Sequence, residues 1–126
     1  MRAWGALAFL FLLGSCTAFE PSICDDIGFW GISVIPSDSA TGGTAGVKNV
    51  VVRAVDAGVG VYSDSARADS LGPLPFFPLA FERPGIYNVT VNADGYKEWK
   101  SIVDVRMVDK CHVGTSVVHA RLQRAD

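Results

Sequence analysis

The chain predicts an all-β fold, an antiparallel β-sandwich of about seven short strands, preceded by an N-terminal leader that is not part of the domain. Three observations predict it. Short β-branched or alternating runs recur along the chain, clusters of Gly, Pro, Ser, Asn and Asp separate them, and no stretch holds the 3.6-residue periodicity of a helix.

Residues 29–35 are the first run, stopped by Pro36, and residues 36–48, rich in Ser, Thr and Gly, read as a flexible loop. Residues 50–55 are β-branched and end at Asp56-Ala57-Gly58, followed by a second apolar run at 59–62. Residues 63–78 are turn-rich, with Gly72-Pro73, Pro75 and Pro78, which leaves room for only a short edge strand near 79–82. The clearest strand is 86–93, where Tyr87, Val89, Val91 and Ala93 alternate with Asn88, Thr90 and Asn92, so that the first set faces the core. Residues 96–108 follow, with Val103, Val105 and Met107 on one face against Asp104 and Arg106. The last strand, 113–122, sets Val118, Ala120 and Leu122 against His119 and Arg121.

The formal net charge is −2, and Lys and Arg are scattered singly among acids, so no basic surface for a nucleic acid is expected. The N-terminus carries one basic residue, Arg2, then residues 3–13, apolar apart from Gly5, then Gly14-Ser15-Cys16. A positive start, a short apolar core and small residues before a break make a secretory signal. Those eleven apolar residues span about 16 Å as a helix, too little for a hydrocarbon core of about 30 Å. Leu13-Gly14-Ser15-Cys16 resembles the bacterial lipobox. That resemblance implies a signal peptide over 1–15, a diacylglycerol on Cys16, a lipidated tether over 16–26 and a sandwich domain over 27–126. The implied partner is a membrane, reached through the lipid anchor; Thr17, where an aspartate is the retention signal for the inner membrane, directs the expectation to the outer membrane. Cleavage after Ala18 is the alternative and gives a secreted or periplasmic protein.

Three cysteines are an odd number for an exported chain. With Cys16 lipidated or removed, Cys24 and Cys111 remain as a pair able to form one disulfide in an oxidising compartment; two buried free thiols are the alternative.

Arg83-Pro84-Gly85-Ile86-Tyr87-Asn88-Val89-Thr90-Val91, followed by Ala93-Asp94-Gly95-Tyr96 and Trp99, resembles the carboxypeptidase regulatory-like domains. Cys111-His112-Val113 before the last strand, with Cys24 near the start, resembles a lipoprotein subset of them. The resemblance spans residues 32–122 and implies an immunoglobulin-like, prealbumin-like sandwich serving as an accessory module. Within it, Pro84-Gly85 suits a type II turn, and Tyr87 and Tyr96 suit rings buried with the hydroxyl partnered at the sandwich end.

No residue pattern points to catalysis, a cofactor or a metal. His112 and His119 are an odd seven residues apart and fall on opposite faces of an extended strand, with His112 a surface or strand-end residue. Asp25, Asp26, Asp56, Asp64 and Asp69 read as solvated turn acids without calcium-loop spacing. Hydroxyisourate hydrolases share the prealbumin-like fold, but the C-terminal Leu122-Gln123-Arg124-Ala125-Asp126 lacks their Tyr-Arg-Gly-Ser tail, which leaves hydrolysis the most distant alternative. Two binding features remain. Phe76 and Phe77, in Leu74-Pro75-Phe76-Phe77-Pro78, either fold inward to cap the sandwich, the favoured reading, or form a surface patch for a protein or glycan partner. Trp30 and Trp99 pose the same choice, with burial expected. The expected function is a non-enzymatic envelope lipoprotein acting as a binding or structural module, with an accessory subunit of a transport or secretion system as the alternative.

Overall fold

A computed structural model describes residues 24–58 and 62–126. The leader, Cys16 and most of the run at 59–62 lie outside the described residues. The described chain is all-β, with strands β1 (Trp30–Asp38), β2 (Lys48–Asp56), β3 (Ser63–Ser70), β4 (Phe77–Phe81), β5 (Gly85–Asn92), β6 (Trp99–Val105) and β7 (Ser116–Leu122). They form two sheets, β4-β1-β7 and β3-β2-β5-β6, which enclose one core.

Period-two alternation builds that core. Val50, Val52 and Ala54 of β2, Tyr87, Val89 and Val91 of β5, and Val103 and Val105 of β6 face Ile32 and Val34 of β1, Leu79 of β4, and Ala120 and Leu122 of β7. The expected inward sets on β5 and β7 are therefore the observed ones. Met107 departs from its expected set: β6 ends at Val105, and Met107, beyond it, bridges Val113 with its side chain exposed.

Four of the five strand pairings are antiparallel, and β1–β7 is parallel, with Ile32 opposite Ser116 and Asp38 opposite Leu122. Pro36 does not stop β1. Pairing with β4 ends at Val34–Phe77, so from Ile35 onward only the β7 edge is in use, and a residue without an N–H fits beside an unpaired edge. The expected turn region holds β3, an eight-residue edge strand. Asp64 and Asp69 thus lie on a strand, and Asp64 Oδ2 accepts the Ala80 N–H at 3.0 Å, tying β3 to β4 across the sheets.

At the start of β1 the alternation changes phase. Gly31 and Ile32 are both buried, and a Cβ on Gly31 would lie 2.7 Å from Val105 Cγ1 and 2.9 Å from the Ala80 carbonyl oxygen. Glycine is needed for this close approach, and Trp30 is turned outward to 44% exposure, contrary to the burial expected of it. Trp99 does pack against the core.

Candidate functional site

Functional groups gather at the two ends of the sandwich. The first end holds the start of β1, the end of β4 and a small hairpin within the β6–β7 connection, closed by the Met107–Val113 bridge. Cys24 and Cys111 form a disulfide there, with Cα atoms 5.4 Å apart. The pairing of the two domain cysteines is thus present, and it fixes the entry of the chain to the last hairpin. Asp109 shapes that hairpin by accepting the backbone N–H groups of Cys111 and His112, both at 2.7 Å.

This turn carries the His112 ring into a largely covered slot rather than to the open surface. Its Nε2 lies 2.8 Å from Asp25 Oδ1, its Nδ1 lies 3.4 Å from both Glu82 carboxylate oxygens, and the Phe29 ring meets it edge-on at 5.1 Å. Burial pushes the imidazole pKa down, but the hydrogen bonds and negative charges of Asp25 and Glu82 outweigh it and raise the value above 6.5. Protonated, the ring donates from both nitrogens and bridges two carboxylates. A general base must turn a ring nitrogen toward its substrate, whereas both nitrogens here are committed to protein carboxylates. The bridge ties the residue after Cys24 to the end of β4.

The opposite end holds the C-terminal ends of β1 and β7. Asp38 is 1% exposed and is the buried charge of the described residues. It accepts the Tyr96 hydroxyl at 2.7 Å, Arg124 Nε at 3.0 Å and the Ala40 N–H at 2.7 Å. The Tyr96 hydrogen bond, helped by the Ala40 N–H, outweighs desolvation and, with Arg124 and Thr41, lowers the Asp38 pKa to about 2. Tyr96 thus has the partnered hydroxyl expected of it, and Tyr87 has its own in the Arg83 carbonyl at 2.9 Å. Sequence reasoning missed Asp38 and Arg124. The stretch Asp38-Ser39-Ala40-Thr41-Gly42 carried the signal, since an aspartate opening a Ser/Thr/Gly turn caps the N–H groups that follow.

Beside this latch, the segment between β3 and β4 folds over the outer face of β1 and β7. Leu74 at its tip is 87% exposed, and Phe76 is 63% exposed. Phe77, the first residue of β4, is 5% exposed and sits in the core opposite Val34. The two phenylalanines expected to share one fate are therefore split, one outward and one inward. Leu74, Pro75 and Phe76 wall a cleft of about 370 Å³ whose floor is Ile35, Ser37 and His119. His119 belongs to this cleft and His112 to the other end, so the structure does not bring the histidines together.

A third cluster lies at the β2–β4 corner. The Arg83 guanidinium carbon stands 4.2 Å from the centre of the Tyr62 ring, and Arg83 is 3.5 Å from Asp56. This is a cation–π and ion-pair clamp, and the Tyr62 ring within it packs edge-on against the buried Tyr87.

Among the described residues, no group of three or more His, Cys, Asp or Glu is arranged to hold a metal ion, and no helix is long and apolar enough to cross a membrane. Compared with known proteins, the chain matches no family model and no curated protein.

Proposed function

We propose that the chain is an exported lipoprotein whose sandwich is a non-enzymatic binding module, tethered to the outer membrane through Cys16 and using the Leu74–Phe76 loop to hold a protein partner. The observation that carries this reading is the placement of that apolar loop at the end of β1 farthest from the disulfide-fixed entry of the chain. The nine residues of β1 separate the ends by about 26 Å, so a module held at one end offers the other to its surroundings. An exposed leucine and phenylalanine on a proline-stiffened loop make an apolar contact that loses little chain entropy on binding. The leader and the cysteine arithmetic support the tether: the domain uses Cys24 and Cys111 on each other, and Cys16 follows the apolar leader. The likeness of residues 83–99 to the carboxypeptidase regulatory-like domains supports an accessory role.

The test combines acyl labelling with a photo-crosslinking residue in place of Phe76, in cells. Palmitate label on the chain, its loss in Cys16→Ala, and a discrete crosslinked protein adduct in the envelope fraction are the expected results. A chain that remains labelled and membrane-bound in Cys16→Ala refutes the anchor. A labelled chain without adducts at Phe76 refutes the binding role of the loop.

A further inference from the structure

We propose that the disulfide end of the sandwich is a membrane-docking face, with Trp30 and Phe81 seated in the headgroup region of the zwitterionic bilayer that carries the Cys16 anchor. This inference rests on the lipoprotein reading above and adds to it a fixed orientation of the domain.

The first support is where exposed apolar surface lies. Of eleven large apolar side chains exposed among the described residues, Ile27, Phe29, Trp30, Phe81, Met107 and Val108 belong to three segments at this one end, the entry into β1, the end of β4 and the β6–β7 connection. Sandwich ends made of turns are usually the most polar part of the surface, and apolar patches concentrated there mark an interaction face.

The second support is that the central pair is built, not incidental. Trp30 and Phe81 are opposite each other in the β1–β4 register, their ring centroids are 5.0 Å apart at 63°, and they are 44% and 50% exposed. The buried Gly31 sets the phase that turns Trp30 out, and Ala80, with φ of +55°, precedes Phe81 on the partner strand. Rings held this way by backbone lose little freedom on entering an interface. Tryptophan and phenylalanine are the side chains that settle at the boundary between headgroups and acyl chains.

The third support is reach. Cys24 is fixed to this end by its disulfide, and only eight residue steps separate it from Cys16. At roughly 3.3–3.6 Å per residue those steps extend at most about 29 Å, so a lipidated chain keeps this end close to the bilayer. Weak apolar contacts then act at high effective concentration. Charge selects the lipid. Asp25, Asp26, Asp56, Glu82, Asp104 and Asp109 at this end outnumber Arg83, Arg106 and Lys110, an acidic excess that gives no attraction to anionic headgroups and suits zwitterionic ones.

The test uses the full, exported and acylated chain with Trp99→Phe, which leaves Trp30 as the tryptophan of the domain. It is reconstituted into phosphatidylethanolamine–phosphatidylcholine vesicles with brominated acyl chains. Blue-shifted Trp30 emission quenched by the bromines, and loss of that quenching when Phe81→Ser releases the ring pair, are expected. Acylated, vesicle-bound protein whose Trp30 is unquenched overturns the docking face and leaves the lipoprotein reading intact. Trp30 emission that is blue-shifted but unquenched, as in contact with a second copy, overturns the docking face equally. Absence of acyl label on Cys16 overturns the reading on which the inference stands. Thermal melts of both variants, altered only at a core-packed and a half-exposed aromatic, check that the fold is retained.

Discussion

Alanine replacement at two neighbouring phenylalanines separates the core of the sandwich from its surface. Phe77 is 5% exposed, faces Val34 across the β1–β4 ladder and belongs to the core cluster. Phe76, one residue earlier, is 63% exposed and walls the distal cleft. Removing a buried phenylalanine ring costs about 3–5 kcal/mol, through lost transfer energy and the cavity left behind. A surface truncation is expected within about 0.5 kcal/mol. For a domain of this size each kcal/mol moves the midpoint by about 4–8 °C, so Phe77→Ala should melt at least about 12 °C below the parent and Phe76→Ala within about 4 °C of it. Circular dichroism melts of the disulfide-intact protein measure both. Equal losses in the two variants would show that the segment caps the sandwich with both rings. A loss confined to Phe76→Ala would mean that β4 is shifted by one residue, which reverses every side chain on it.

Three further outcomes follow from the ends of the molecule. Replacing Cys24 and Cys111 together by serine opens a loop of sequence separation 87, and the chain-entropy relation gives a loss of about 4–5 kcal/mol, read in denaturant titrations with and without reductant. His112 has a folded pKa raised above 6.5, so its contribution is fully present below 6.5 and is lost as pH rises through the folded value; the melting gap between the parent and His112→Gln should be widest in mildly acidic buffer and narrow toward alkaline pH. Asp38 has the opposite sign, since its pKa is lowered from 3.8 to about 2: its contribution is present above 3.8 and is lost as pH falls through 2, so the gap between parent and Asp38→Asn should be constant near neutrality and close only in strong acid. A pH-independent gap at either position would refute the assigned ion contacts.

The parts of the fold that could be read from the sequence are those where one face of a strand is buried and the other wet. β5 and β7 show this in Tyr87, Val89 and Val91 and in Ala120 and Leu122, whose alternation is the physical consequence of the pleat. β3 escaped because Ser63-Asp64-Ser65-Ala66-Arg67-Ala68-Asp69-Ser70 has little β propensity. It is a strand because β2 offers it a ladder, and it tucks only small groups such as Ala66 and Ala68 against the core. The parallel β1–β7 pairing was invisible for a different reason: a strand's own pattern records which face is buried, not the direction of its neighbour. The disulfide followed from counting thiols, whereas the His112 bridge joins residues 25, 82 and 112, contacts made only when three separate turns meet.

The two histidines show why spacing alone misdirects a search for chemistry here. A separation of seven sets them on opposite faces of one strand, but β7 begins only at Ser116, so His112 is not on the strand at all. Asp109 turns the chain around it, and the ring is drawn inward by carboxylates from elsewhere in the sequence. Asp38 at the other end is held in the same manner, by Tyr96 beyond β5 and Arg124 beyond β7. Each charged latch therefore closes one end of a sandwich whose sheets make no backbone ladder with each other. The exposed rings of Trp30 and Phe81 and the exposed loop of Leu74 and Phe76 lie at these two opposite ends. The module proposed above would use that polarity, since the Asp38 and His112 latches each join segments distant in sequence at the end that carries one apolar patch.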